Sequence, residues 1–323
     1  MCDQVSLSFN SISIGTSGET LPLVNVARKR FSLFLMSILT FFWGSSFVVV
    51  KLGLSEGLTP VATATYRFLI AGALFTALGL LKGKLSTHML ARHMKDLPRF
   101  FFLSLTGVTL FFTAQYQGIQ MAGASVASIL VCLLSPVLIS TLSATMLKES
   151  LTRNQIFGIG IACVGASIVV SGGITGFESN SDFFLGTLLL LVTPILWAIY
   201  SIAGRRMMER YDPFLIAAYV NVLGALCLVP FSAFERSLDM IVRVTFNGWL
   251  AITYLAITCS LFGYYIWFYA MRRLGAAVAS SFMFAEPLIT VLLATTFLGE
   301  TLSLFTIAGG LLILAGVYAV IRR

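Results

Sequence analysis

Charge is the scarcest property of this chain. It holds 21 Lys and Arg and 13 Asp and Glu in 323 residues, or 11%, against the roughly 25% of an ordinary soluble domain. Mean hydropathy is +0.94, and 58% of the residues are hydrophobic. So few charges cannot clothe a water-soluble surface, which excludes soluble domains, disorder over most of the length, collagen and coiled coil. Histidine is equally sparse, with only His88 and His93. No HExxH and no CxxC occurs, so no metal centre or disulfide frame is expected. Four of the five cysteines, Cys132, Cys163, Cys227 and Cys259, lie inside apolar runs, where a free thiol behaves as a small hydrophobe. The composition is that of a polytopic membrane protein.

What is present is a series of continuous apolar runs. A barrel strand would alternate polar and apolar over about ten residues. These runs last about twenty, the length an α-helix needs to cross a bilayer. Ten spans follow, at 31–50, 60–81, 99–119, 122–147, 154–174, 183–204, 213–234, 246–271, 274–299 and 303–321. With residues 1–30 on the cytoplasmic side, seventeen Lys and Arg fall on cytoplasmic segments. Only Lys51, Arg236 and Arg243 fall outside, and Arg67 lies within a helix. That asymmetry sets the orientation and puts both termini in the cytoplasm. The +8 net charge is therefore topological and does not indicate nucleic acid. The tail 1–30, rich in Ser, Thr and Gly, is expected to be disordered. Arg28-Lys29-Arg30 precedes a run too long for a typical signal peptide, so a retained first helix is expected. The 82–98 loop, with both histidines, reads as a solvated connector.

The chain also repeats itself. Residues 136–152 align without gaps on 287–303, with six of 17 positions identical, among them Pro136/Pro287 and Glu149/Glu300. The same offset of 151 pairs Gly158 with Gly309 and Gly165 with Gly316. Residues 123–128 resemble 275–280, one residue out of phase, and Trp43 and Trp197 sit early in each half. Each unit, 31–174 and 183–323, has five helices. The odd number forces the second unit to enter the membrane upside down. Inverted repeats are the architecture of secondary transporters, with substrate near the midplane between the halves. The fold expected is an all-α polytopic membrane protein of ten transmembrane helices in two inverted five-helix repeats.

Certain residues carry a family resemblance: Trp43-Gly44-Ser45-Ser46-Phe47 with Lys51, Pro60 with Arg67-Phe68, and the two Pro…Leu-x-Glu-x-Leu-Thr/Ser blocks followed by Gly-rich helices. Together they resemble the EamA-type, ten-helix branch of the drug/metabolite transporter superfamily over nearly all of 31–321. The resemblance implies a multi-pass inner-membrane exporter or exchanger of amino acids or related metabolites, with a central cavity lined by both halves. It is specific for fold and transporter class and weak for substrate.

Two ionisable residues lie deep in the spans. Arg67 is seven residues into its helix, about 10 Å deep at 1.5 Å per residue. Glu286 is near the middle of the ninth, just before Pro287. Charge at membrane depth is costly and marks a site by default. Arg67 would orient a carboxylate, and Glu286 would receive an ammonium group or a proton. The bland alternatives are an outward-snorkelling anchor and a structural hydrogen bond. Pro136 and Pro287 would free the carbonyls of Cys132 and Met283, for substrate or as a hinge. Trp43 with Ser46, Trp197 with Tyr200, and Tyr264 with Trp267 lie at helical spacing and could form an aromatic wall. Gln115 and Asn221 offer neutral polar groups, and the ridge Gly158, Ala162, Gly165 with its echo reads as close helix packing.

An enzyme would want a Ser/His or Ser/Lys pair or a metal cluster in the bilayer, and none is seen. Gly79 to Lys84 is one residue short of a phosphate loop and lacks its final Ser or Thr. No cofactor is expected. The partners implied are a small-molecule substrate, the lipid bilayer and, if coupled, protons. A multidrug exporter of lipophilic cations is the alternative within the carrier class; a channel or intramembrane enzyme is the remote one.

Overall fold

The computed structural model describes residues 20–84, 93–146, 153–175 and 181–321. Among these, every regular element is helical. We number the helices α1 (Thr20–Ser55), α2 (Pro60–Leu81), α3 (Met94–Ala122), α4 (Ala124–Met146), α5 (Arg153–Thr175), α6 (Ser181–Met207), α7 (Pro213–Phe234), α8 (Phe246–Leu274), α9 (276–298) and α10 (Leu304–Ile321). Eight have the length and apolar composition to cross a membrane; α5 and α10 carry shorter apolar stretches, Ile156–Ser171 and Leu304–Ala319. The protein is an all-α, multi-pass membrane protein.

The first helix starts earlier than expected. Residues 20–30, assigned from sequence to a disordered tail, continue α1 back to Thr20. Pro22 does not stop it, because proline is tolerated in the first turn, where its missing N–H has no helical partner. His93 also departs from the solvated connector expected. Its ring meets those of Tyr211 and Tyr219, with centroids 5.0 and 5.7 Å away.

Local chemistry starts equivalent helices in the same way. Thr59 accepts the Ala62 N–H ahead of Pro60 in α2, and Asp212 accepts the Phe214 N–H ahead of Pro213 in α7. Both combine a capping oxygen with a proline at the first helical position. The α3–α4 and α8–α9 turns each rest on a glycine in a conformation that disfavours side chains, Gly123 at φ +93° and Gly275 at φ +84°.

The packing is two-fold. α5 packs on α10, and α2 on α7. The neighbour pairs α3–α6 and α4–α6 recur as α8–α1 and α9–α1 when each helix is exchanged for the one five places away. The senses are opposite, as the glycines show. A Cβ at Gly165 would lie 2.6 Å from the Gly309 carbonyl, and one at Gly316 would lie 2.5 Å from the Gly158 carbonyl. The low residue numbers of α5 thus meet the high numbers of α10, so these equivalent helices run antiparallel. Only a missing side chain allows backbones this close. Leu80, Leu81, Phe157, Phe297 and Leu304 are exposed on the periphery, as lipid-facing side chains should be.

Equivalent helices are also irregular at equivalent places. α3 and α8 each contain a π-helical stretch, Leu105–Thr109 and Leu255–Phe262. Such stretches loosen the normal backbone ladder and often mark functional positions. α4 continues through Pro136 as an α-helix. In α9 a 3₁₀ turn, Phe282–Ala285, precedes Glu286-Pro287.

Candidate functional site

The midplane site is built outward from α1. Gly44 lets α9 approach: a Cβ there would stand 2.9 Å from Ile289 and 3.0 Å from the Glu286 carbonyl oxygen. Thr290 Oγ1 closes the contact by donating to the Gly44 carbonyl at 2.6 Å. Trp43, one residue earlier, sends its indole N–H to the carbonyl of Cys259 within the π-helical stretch of α8 at 3.1 Å. Ser45 shares a 2.6 Å hydrogen bond with the Tyr254 hydroxyl, also on α8. The Trp-Gly-Ser-Ser segment is thus the joint at which the first half grips α8 and α9 of the second.

Around this joint lies a small space of about 40 Å³, lined by Trp43, Ser46, Phe47, Arg67, Phe111, Phe112, Gln115, Val131, Cys132, Trp197, Tyr264, Met283 and Glu286. Both halves contribute. Arg67, 2% exposed, donates through Nε to Ser260 Oγ at 2.7 Å and through a terminal nitrogen to the Tyr116 hydroxyl at 2.5 Å. Its guanidinium carbon stands 4.4 Å from the centre of the Phe112 ring and 5.0 Å from that of Phe68, in cation–π contact. Among the described residues no carboxylate forms an ion pair with it. Glu286, 3% exposed, accepts a hydrogen bond from the Cys132 thiol at 3.1 Å. Arg67 and Glu286 do not pair directly; each is held by neutral neighbours.

Nine of the residues singled out from sequence thus border one space: Trp43, Ser46, Arg67, Gln115, Cys132, Trp197, Tyr264, Met283 and Glu286. Others stand behind it. Trp267 is fully buried, with its ring centroid 5.5 Å from those of Trp43 and Trp197. Tyr200 packs against Gly107, where a Cβ would clash with its ring, and backs Trp197 at 5.1 Å. Asn221 turns its amide back onto the Ala217 carbonyl of its own helix at 2.8 Å. Pro136 and Pro287 do not line the space. The carbonyl of Met283, expected to be freed by Pro287, accepts the Glu286 N–H across the 3₁₀ turn, so it is not free. Phe47, Phe111, Phe112 and Val131 were missed. Phe111 and Phe112 could have been found, because each reaches Gln115 at i+4 or i+3, the helical spacing of one face.

Toward the side opposite the basic loops, one charge ties the halves together and a second braces the first half. Both Glu300 oxygens accept backbone N–H groups at the start of α4, from Ala124 at 2.8 Å and Ser125 at 2.9 Å. Lys51 donates to the Ile119 and Gln120 carbonyls at the end of α3, at 3.2 and 2.9 Å. A carboxylate at a helix N-terminus and an ammonium at a C-terminus both match the helix dipole. Glu149, the sequence twin of Glu300, lies outside the described residues.

The EamA-like transporter family model matches this chain twice, at residues 30–171 and 184–322. The chain belongs to that family. A transporter of Archaeoglobus fulgidus described as uncharacterized is 32% identical over 291 residues, covering 88% of this chain and 95% of that protein. A protein of Streptantibioticus cattleyicolor named "probable terminal-alkyne amino-acid exporter" is 26% identical, covering 87% and 90% of the two chains. A crystal structure at 20% identity superposes with a TM-score of 0.59 over 91% of this chain and 99% of the other, a likeness of fold. This EamA-like protein is a transporter and not an enzyme. Its two matched segments fall on the two five-helix units, so the space at Trp43 and Glu286 sits on the seam between repeats.

Proposed function

We propose that this transporter carries amino acids or closely related zwitterionic metabolites by alternating access, in export or exchange. The observation behind this reading is the pairing of opposite charges across one space. Arg67 on α2 is a buried cation with no carboxylate partner among the described residues, and Glu286 on α9 is a deep carboxylate that accepts a hydrogen bond from a thiol. A zwitterion would satisfy both, its carboxylate at the guanidinium fork and its ammonium at Glu286. Trp43, Phe111, Phe112, Trp197 and Tyr264 would cover the side chain. The present space is far below the ~300 Å³ of an ordinary small-molecule pocket, so loading requires the helices to part. The name of the Streptantibioticus cattleyicolor relative points the same way.

The test is flux into liposomes holding the purified protein, over a panel of amino acids and their amine-free and carboxyl-free analogues. Saturable, trans-stimulated flux of an amino acid, lost in Glu286→Gln and in Arg67→Gln, is the expected result. A second reading, export of lipophilic cations, is favoured by the six aromatic residues that share the space with Glu286. Cation binding lost in Glu286→Gln, with no amino-acid flux, would establish it instead. Proton coupling predicts that flux driven by an imposed pH gradient vanishes with an uncoupler.

A further inference from the structure

A second and larger cavity, of about 760 Å³, opens on the side of the basic loops. It lies where α3 begins and α6 ends, with Leu142 of α4 at its back. Its walls divide by chemistry along the membrane normal. Arg99, Arg206, Glu209 and Arg210 form the mouth; Phe102, Leu103, Leu142, Ile199, Ile202 and Ala203 form the deeper part. From Arg206 to Ile199 is seven residues, roughly 10 Å along a helix. That distance runs from the polar interfacial layer into the hydrocarbon, since the interface adds only about 5–8 Å on each face of the bilayer. Phe102 in that deeper part and its neighbour Phe101 are 46% and 48% exposed, so the apolar wall of the cavity opens sideways toward lipid.

The charges at the mouth are unbalanced in a specific way. Asp96 engages two of the arginines, in a hydrogen-bonded ion pair with Arg99 and at 3.9 Å from Arg210. Glu209 is the other carboxylate at the mouth. Three guanidinium groups against two carboxylates leave one net positive charge. The guanidinium without an ion pair among the described residues is that of Arg206.

We propose that this cleft is a binding site for one anionic phospholipid, its phosphodiester on Arg206 and Arg210 and the start of an acyl chain along Phe102, Ile199 and Ile202. One net positive charge matches one phosphodiester, and basic pockets between helices on the cytoplasmic side are where anionic head groups bind. The site is separate from the midplane space and stands whether or not the substrate is an amino acid.

The test is titration of the purified full chain with dioleoylphosphatidylglycerol or dioleoylphosphatidylcholine, with bound lipid counted by native mass spectrometry. One saturable site should prefer the glycerol lipid by about fivefold, the factor expected of one cationic side chain at an anionic surface. Arg206→Gln should abolish the preference. Arg272→Gln/Arg273→Gln, on the same side of the membrane at the end of α8, should leave it intact. Ala203→Trp, which fills the deeper part, should weaken both lipids. Equal binding of the two lipids, a preference untouched by Arg206→Gln, or displacement of the lipid by millimolar glycerol phosphate would each overturn the proposal.

Discussion

Trp43 and Trp197 meet edge to face on the seam between the repeats, with ring centroids 5.5 Å apart and planes at 85°. They occupy matching places in the two halves, yet their indole N–H groups have different fates. Trp43 donates to the Cys259 carbonyl in the π-helical stretch of α8. Trp197 has no partner among the described residues, and the corresponding stretch of α3 gives its Gly107 carbonyl to the Tyr264 hydroxyl at 2.7 Å. The two-fold is thus broken at the site by side chains while the pairing of the helices obeys it.

That difference predicts unequal substitutions. Trp43→Phe strands a buried carbonyl and should cost about 1–3 kcal/mol more than Trp197→Phe, which breaks no hydrogen bond. Both lose similar ring area, so the difference isolates the bond. Equilibrium unfolding of the two variants in the same detergent measures it, and equal losses would contradict the assignment.

The α5–α10 crossing is the tightest backbone contact between the halves. Gly165→Ala and Gly309→Ala each press a methyl to 2.6 Å of a carbonyl oxygen. Overpacking of this kind should destabilise by about 1–3 kcal/mol. Gly160 lies on the same helix with nothing within 4 Å of its would-be Cβ, so Gly160→Ala should be neutral or slightly stabilising. Melting temperatures of the three variants suffice to check this.

Glu300 holds the α3–α4 turn from the other half through two backbone N–H groups. Glu300→Gln keeps the shape and loses the charge, and should lower stability by about 1 kcal/mol. Glu300→Ala, which leaves both donors open, should cost more. A Glu300→Ala protein as stable as wild type would show that the turn needs no tie.

Arg67→Lys keeps the charge but not the planar fork that reaches Ser260 and Tyr116. If a substrate carboxylate docks there, its half-saturation concentration should rise about ten- to a hundredfold, the equivalent of a charge-assisted hydrogen bond. Initial-rate flux in liposomes measures the shift. A changed maximal rate with unchanged half-saturation would place Arg67 in the helix movements rather than at the substrate.

Much of the architecture was legible because lipid imposes few and strong rules. Run length gave the spans, and the Pro136/Pro287 and Gly158/Gly309 offsets gave the duplication that the antiparallel α5–α10 crossing displays. The ionisable pair Arg67 and Glu286 stood out because charge in hydrocarbon is expensive, and both border the midplane space. Asn221, Tyr200 and Trp267 could not be placed in the same way. A membrane helix is apolar on its lipid face and largely apolar on its packed face, so periodicity does not reveal which side looks inward. Their small and aromatic neighbours, Gly107 and Trp43 among them, decide it.

The amino-acid sequence by itself determined the number of apolar crossings, the side on which the basic loops gather and the opposite sense of the two units, because these follow from hydrocarbon thickness, loop charge and an odd helix count. Only the tertiary structure decided that Glu286 rests on Cys132, that Arg67 rests on Ser260 and Tyr116, and that Glu300 reaches back to α4. Those contacts join residues 49 to 193 positions apart. They depend on how helices distant in sequence pack, as where Gly44 lets α9 approach α1, and no local pattern encodes that approach.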